Sequence, residues 1–173
     1  MIPDKHSYKP TITQTLRNEI VGFARGTFLE IGCDIAYTTE SLIPYFSKLV
    51  AIDIDKRRIE KAQSRFQDDK VQFIVGTCLD IPVDLYDVVL IDAAHDYKNV
   101  MNDFQNVYEK NSANKFIVVF HDYGLTKSGV KQAVEQISKD YDCTFTLCGE
   151  KEKWNPHGGT IFDYEAAKIE INK

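Results

Sequence analysis

Acidic and imidazole side chains close two apolar runs in the second half of the chain. Asp92 follows one run, and His121 with Asp122 follows a later one. Carboxylates bind divalent cations, and an imidazole that titrates near neutral pH can take a proton from a hydroxyl group. His95 follows Asp92 closely and could reach the same cavity. The alternative is a histidine at a helix start that hydrogen-bonds only to the backbone. These residues predict a reaction centre, with Asp92, His95 and His121 as candidate catalytic groups.

A second set of candidate residues lies nearer the amino terminus. Residues 27–39 begin as an apolar run and then turn through Gly32, which would let the backbone approach a ligand closely. Asp53, at the end of the next run, could accept both hydroxyls of a ribose. Asp34 and Ala36 stand where a dinucleotide-binding turn has glycines, and the charge of Asp34 disfavours a pyrophosphate. A ligand with a cationic centre fits this turn better.

The elements that must position these residues alternate along the chain. Apolar runs predict strands at residues 27–31, 49–53, 71–75, 86–91 and 116–120. Helical spacing predicts helices around residues 11–24, 38–46, 55–66, 97–108 and 130–137, with Pro44 shortening the second of them. This alternation is typical of a parallel sheet with helices on both faces, where ligands bind beyond the carboxyl ends of the strands.

The last part of the chain follows a different pattern. Residues 143–147 and 160–164 are strand-like, and the polar segment between them, which contains Pro and Gly, is too short for a crossover helix. They are therefore predicted to pair antiparallel at the end of the sheet. Residues 1–10 contain two prolines and predict a flexible amino-terminal arm, whereas residues 11–173 predict a single domain.

Composition and charge exclude several classes of protein. The net charge of -5 argues against broad binding to nucleic acid, because such binding relies on clustered Lys and Arg. The four cysteines lack the spacing of a zinc site and predict reduced thiols in a cytoplasmic protein. No apolar run is long enough to span a membrane, so no membrane partner is expected.

The strand-end residues together resemble a known family. Glu30-x-Gly32, Asp53, Gly76 and Asp92 are similar to the successive motifs of class I S-adenosylmethionine-dependent methyltransferases, and the resemblance covers residues 27–164. It implies a Rossmann-like, doubly wound α/β fold: a mostly parallel seven-stranded sheet with an antiparallel last strand and helices on both faces. The cofactor-binding residues that it implies are Glu30, Gly32, Cys33, Asp34, Asp53, Ile54, Thr77, Cys78 and Asp92.

A narrower resemblance concerns the small-molecule O-methyltransferase group that includes the macrolide sugar enzymes. It rests on residues 92–97, Asp103, residues 118–123 and residues 129–134. In that group an acid matching Asp92 and an acidic pair matching His121 and Asp122 hold a divalent cation, usually magnesium. Asp92 and Asp122 are thus the implied metal ligands, and His121 is a third candidate that is a ligand, a base or neither. His121 replaces an acid, and an imidazole shifts the metal preference toward manganese, iron or zinc.

The resemblance implies methyl transfer from S-adenosylmethionine to a hydroxyl of a small molecule, of sugar or phenolic type. The alternative is a non-catalytic cofactor-binding or scaffolding protein that keeps the fold. Acceptor contacts are expected from the amino-terminal arm, residues 93–98 and residues 151–159. A homodimer that completes the open site is a further expectation.

Overall fold

The computed structural model describes residues 12–151 and 163–173, and these form one sheet with helices on both faces. In chain order the described elements are α1 (Gln14–Gly22), β1 (Thr27–Ile31), α2 (Tyr37–Leu42), β2 (Lys48–Asp53), α3 (Lys56–Arg65), β3 (Val71–Val75), β4 (Val88–Ile91), α4 (Tyr97–Lys110), β5 (Lys115–His121), α5 (Val130–Asp140), β6 (Phe145–Lys151) and β7 (Tyr164–Asn172). Short 3-10 turns follow α2 and β3.

The sheet has the strand order β3-β2-β1-β4-β5-β7-β6. The five strands β3, β2, β1, β4 and β5, which are neighbours in this order, pair in parallel. β7 pairs antiparallel with both β5 and β6. The predicted fold class is therefore confirmed. The direction of the connections reverses between β1 and β4, so a crevice forms beyond the carboxyl ends of these two strands.

The central strands are buried on both faces, which explains why they read as continuous apolar runs. Successive residues of a strand point to opposite faces. Leu29 and Val89 belong to the core layer that includes residues of α4 and α5. Phe28 and Val88 belong to the opposite layer, which includes residues of α1. The sheet is thus held from both sides, and its carboxyl edge carries the polar residues.

The predicted boundaries of the last two strands are wrong. β7 begins at Tyr164, where the sequence pattern was expected to end a strand, and β6 begins at Phe145. Charged Lys168 and Glu170 alternate with buried Ile169 and Ile171 along β7, so the sequence has no continuous apolar run that would indicate a strand there. Antiparallel pairing of the two strands is confirmed.

Other predictions for single segments have different outcomes. Pro44 does shorten its helix, because α2 ends at Leu42 and Pro44 lies in the 3-10 turn that follows. The predicted arm at residues 1–10, residues 160–162 and most of the predicted acceptor loop at 151–159 lie outside the described residues. Among the residues that are described, no helix is both long and apolar enough to cross a bilayer.

A pair of substitutions in β7 tests the strand position. Ile169→Ala should lower the free energy of unfolding by about 2–4 kcal/mol, because Ile169 is fully buried and its removal leaves a cavity. Glu170→Ala, at the neighbouring exposed position, should change it by less than about 0.5 kcal/mol. Urea denaturation measures both values. Equal effects at the two positions would show that β7 does not have this register.

Candidate functional site

A cleft of about 650 Å³ opens at the carboxyl ends of β1 to β4. This is the place that the strand order predicts for a ligand. Its walls come from the residues that follow these four strands and from one face of α4. The lining residues are Ile31, Gly32, Ile52, Asp53, Ile54, Arg58, Gly76, Thr77, Cys78, Leu79, Asp92, Ala93, Ala94, Asn99, Asn102, Asp103 and Asn106.

The turn at Gly32 brings the backbone close to the end of β4. Its φ of 86° lies in the left-handed region, and a Cβ there would come within 2.3 Å of the Asp92 carbonyl oxygen. The N–H groups of Gly32 and Cys33 both donate to the Ile52 carbonyl oxygen, at 2.8 and 3.1 Å. Only glycine fits this turn without strain, which leaves a bare backbone at the edge of the cleft.

Asp53 is held in a fixed orientation at the end of β2. Its two carboxylate oxygens accept hydrogen bonds from the N–H groups of Asp34, at 2.9 Å, and Asp55, at 2.8 Å. Asp55 itself caps α3, since its side chain accepts from the Arg57 N–H. Asp53 is therefore not needed as the helix cap. Each carboxylate oxygen has a further lone pair that could accept a hydroxyl group.

The predicted cofactor residues divide into two groups by position. Gly32, Asp53, Ile54, Thr77, Cys78 and Asp92 line the cleft, whereas Glu30, Cys33 and Asp34 do not. Cys33 packs in a small apolar cluster. The Asp34 carboxylate lies 3.3 Å from the Arg58 Nε, so this residue forms an ion pair beside the cleft. Their cofactor roles stay predictions.

Glu30 is a buried carboxyl group beneath the turn. The Thr39 hydroxyl donates to it. Burial, strengthened by the negative charge of Asp92, raises the pKa of Glu30 to about 8 despite the opposing hydrogen bonds from Thr39 and Thr38. The folded protein therefore keeps this carboxyl group mostly neutral at pH 7.

Two histidines and two acids meet where β4 and β5 end. His121 Nδ1 lies 2.9 Å from Asp92 Oδ1 and 3.4 Å from Asp122 Oδ2. His95 Nε2 lies 2.5 Å from Asp122 Oδ2, and the His95 side chain is 35% exposed. His121 is buried. The structure thus brings together all four residues that the sequence predicts for the reaction centre.

Contact between these groups changes their pKa values. The hydrogen bond to Asp122 raises the pKa of His95. Burial alone would lower the pKa of His121, but the charge of Asp92 and hydrogen bonds to the surrounding carboxylates raise it well above its usual range. Burial raises the pKa of Asp92, whereas hydrogen bonds from the two histidines hold the pKa of Asp122 below its usual range despite burial. The centre thus favours charged imidazoles beside Asp122.

The donor set is compatible with a divalent cation. One ligand atom each from Asp92, His95 and Asp122 can be chosen so that all lie within 4.8 Å of one another. The Asp122 Oδ1 is buried and has no hydrogen-bond partner among the described residues, so it has a lone pair available. The set differs from the predicted one, because His95 takes the place of His121. Asp122 also has a left-handed backbone, with φ of 61°.

Several polar residues at this site escaped the sequence interpretation. Asn99, Asn102 and Asn106 lie with Asp103 on the cleft side of α4. Their spacing of three and four residues forms a polar stripe on a helix, which is a signal that could have been used. Glu165 also faces His121, with Oε1 3.4 Å from His121 Nε2. The sequence pattern does not indicate Glu165, because the predicted last strand ends at residue 164, whereas β7 extends from Tyr164 to Asn172.

Replacing Glu30 tests its unusual titration. The unfolded chain releases this proton near pH 4.5, whereas the folded protein holds it to about pH 8. Stability therefore falls as pH rises between these values, since the unfolded state then binds fewer protons. Glu30→Gln mimics the neutral carboxyl group and should remove that loss, which amounts to up to about 5 kcal/mol.

Urea denaturation of both proteins from about pH 5 to pH 8 measures the effect. The difference in free energy of unfolding between Glu30→Gln and the unsubstituted protein should grow in favour of the variant as pH rises. A difference that is constant across this range would show that Glu30 titrates normally in the folded state.

Comparison with known proteins finds a matching family model and similar solved structures. Residues 28–113 match a family model described as a methyltransferase domain. No curated protein sequence matches the chain. The O-methyltransferase from Bacillus cereus in complex with SAH is similar in structure, with a TM-score of 0.68 and 17% identity over 96% of this chain and 86% of that chain.

Two further solved structures are similar. The N-methyltransferase NodS from Bradyrhizobium japonicum WM9, in complex with S-adenosyl-L-homocysteine, has a TM-score of 0.65 and 18% identity over 91% of this chain and 83% of that chain. An rRNA methylase from Streptococcus thermophilus has a TM-score of 0.61 and 9% identity over 95% of this chain and 99% of that chain. Identities this low establish the fold and no particular acceptor. The chain therefore has the Rossmann-like fold of S-adenosylmethionine-dependent methyltransferases, and its residues 28–113 match the model of a methyltransferase domain.

Proposed function

We propose that this protein is an S-adenosylmethionine-dependent methyltransferase acting on a hydroxyl oxygen of a small molecule, of sugar or phenolic type. The observation that carries the proposal is the position of Asp92. This residue lines the cleft and also contacts His121 in the cluster of acids and imidazoles. A ligand in the cleft would therefore lie directly beside groups that can bind a cation and move a proton.

The cofactor half of the cleft suits an adenosine. Asp53, already oriented by two backbone N–H groups, would accept the ribose hydroxyls. Ile54 and Leu79 line the cleft as residues that are 74% and 71% exposed, and a purine ring would cover such apolar surface. Gly32 would allow close approach of the backbone to the remainder of the cofactor.

The chain contributes chiefly by positioning the reactants. S-adenosylmethionine, when bound, supplies a methyl group on a sulfonium centre. The residues around the cleft would hold the acceptor oxygen in line with that methyl group, and such orientation lowers the barrier substantially. His95 is the more exposed of the two histidines, so we assign it the contact with the acceptor. Only the neutral form of His95 can take the acceptor's proton, and Asp122, which raises the pKa of His95, would stabilise the imidazolium that forms.

Asp92, Asp122 and His95 are the residues that would hold a divalent cation. Such a cation would lower the pKa of the acceptor hydroxyl. Two carboxylates suit magnesium, and the added imidazole improves the match to manganese. One ring nitrogen of His95 cannot bind a cation and accept a proton at the same time, so metal binding decides between these two roles.

Binding of S-adenosylhomocysteine tests the cofactor half of the proposal. The unsubstituted protein should bind it in isothermal titration calorimetry, and Asp53→Ala should weaken binding at least about tenfold, or about 1.4 kcal/mol, because hydrogen bonds to a carboxylate are lost. Asp69→Ala, an exposed position outside the cleft, is the matched control and should leave affinity unchanged.

Binding of NAD in place of S-adenosylhomocysteine would contradict the proposal. Binding of S-adenosylmethionine without methyl transfer to any acceptor in a panel of sugars and phenols would instead support a cofactor-binding protein without catalysis.

Binding of Mn²⁺ tests the metal. Electron paramagnetic resonance should show Mn²⁺ bound to the unsubstituted protein and at least about tenfold weaker binding by Asp122→Asn, because a carboxylate ligand is lost. Asparagine tolerates the left-handed backbone at this position, so the variant should fold. Asp69→Asn serves as the control. Equal Mn²⁺ affinity in Asp122→Asn would contradict the ligand assignment, and no binding to the unsubstituted protein would leave His95 as the proton acceptor.

A further inference from the structure

Asp103, on α4, is one of three acids that line the cleft in the described part of the chain, beside Asp53 and Asp92. Only 7% of Asp103 is exposed, so this residue is largely withdrawn from solvent. The other two acids have strong partners, since two backbone N–H groups donate to Asp53 and an imidazole contacts Asp92. No lysine or arginine among the described residues forms an ion pair with Asp103.

The protein compensates the Asp103 carboxylate poorly. Within the described residues no N–H or O–H group donates to it, and its polar neighbour is the Cys78 thiol. A thiol is a weak donor, whereas an ionised carboxylate has about four acceptor sites. Burial accordingly raises the pKa of Asp103, although the thiol opposes this shift. A buried acid is costly unless donors surround it, so a ligand in the cleft that supplies a donor here would be favoured.

The course of α4 places Asp103 away from the reacting groups. The helix begins at Tyr97, two residues after His95, and its last residue, Lys110, donates to the Leu79 carbonyl oxygen. It thus runs from the reaction centre to the turn that follows β3. Six residues separate Tyr97 from Asp103, which corresponds to about 9 Å along the helix axis. A ligand that reached both ends of this wall would therefore meet Asp103 with a part remote from its reacting atom.

We propose that Asp103 is a specificity-determining residue, whose carboxylate accepts a hydrogen bond from the 6-amino group of the adenine ring. This assignment rests on the proposed function, because it requires an adenosine in the cleft. A purine that covers Ile54 and Leu79 would turn its polar edge toward the wall that Cys78 and Asp103 share. The amino group on that edge would give the carboxylate the donor that the protein does not provide.

The neighbouring polar side chains on α4 are weaker acceptors. Asn102 and Asn106 also line the cleft, and the Asn106 Nδ2 donates to the Asn102 carbonyl oxygen at 2.9 Å. Their amides are neutral, whereas hydrogen bonds to an ionised acceptor are about twice as strong as those between neutral groups. Asp103 would therefore supply most of the preference for a ring that carries an amino group.

Isothermal titration calorimetry with two ligands tests this preference. The ligands are S-adenosylhomocysteine and its analogue with hydrogen in place of the 6-amino group. The unsubstituted protein should bind S-adenosylhomocysteine at least about tenfold more tightly, because the analogue leaves the carboxylate without its donor. Asp103→Asn should reduce this preference at least about threefold, since an amide is a weaker acceptor. Asp103→Ala removes the acceptor and should bring the two affinities within about twofold.

The ratio of the two affinities separates recognition from a general effect on the fold. A variant that merely distorts the cleft would weaken both ligands alike and keep the ratio. Glu109→Gln makes the same chemical change at an exposed position of α4 outside the cleft, where the side chain accepts from Gln105, and should leave both affinities unchanged. Thermal melts verify that the variants fold.

Two results would overturn the role of Asp103 and leave the proposed function standing. One is equal affinity of the unsubstituted protein for the two ligands, which needs no variant. The other is an unchanged ratio in Asp103→Asn or Asp103→Ala while S-adenosylhomocysteine still binds. If the unsubstituted protein binds neither ligand, the proposed function fails and the role of Asp103 fails with it.

Discussion

The hydrogen bonds around the Gly32 turn fix the relative positions of three strand ends, and the site depends on them. The N–H groups of Gly32 and Cys33 donate to the carbonyl oxygen of Ile52 in β2, while the Asp92 N–H donates to the Ile31 carbonyl oxygen at 2.9 Å. Asp53 and Asp92 are thereby held on either side of one short stretch of backbone. Because these bonds involve main-chain atoms, the spacing depends little on side-chain packing. The cleft is a consequence of the parallel sheet itself.

The sequence allows the central part of the fold to be predicted because the strands there are buried on both faces. Continuous apolar runs then end in Asp53, Asp92 and Asp122, and the parallel topology brings such ends to one edge. The glycine turn, with Asp34 and Ala36 in place of glycines, is a weak motif alone. It indicates a ligand site only together with the residues at the other strand ends. In this region the local sequence patterns and the sheet topology predict the same position for the ligand site.

The last strand could not be placed from its pattern, for a physical reason. β7 is antiparallel, and it places charged Lys168 and Glu170 between buried apolar residues, so its composition resembles that of a surface segment. Glu165 shows the same difficulty at the site. A buried acid cannot be recognised from sequence until its donors are known, and those donors come from Thr13 at the start of α1 and from Glu150 in β6. Such long-range pairing has no local signature.

The reaction centre balances its acids with imidazoles. The described ion pairs of Asp92 and Asp122 are with His121 and His95. Buried carboxylates need such partners, because removal of one member of a buried pair leaves an uncompensated charge. The resemblance predicted an acid where His121 stands. With a histidine there, fewer anionic ligands are available to a cation. The imidazoles of the protein itself then balance a larger part of the negative charge of Asp92 and Asp122.

The backbone at Asp122 restricts how this position can change during evolution. Its φ of 61° lies in a region that glycine, asparagine and aspartate tolerate and that β-branched residues avoid. A lineage that no longer needed the acid would therefore be expected to drift first to asparagine or glycine, which can keep this backbone conformation. Aspartate is the member of that small set that carries a charge. Substitution by asparagine or glycine at this single site would remove a charge from the cluster while keeping the left-handed backbone.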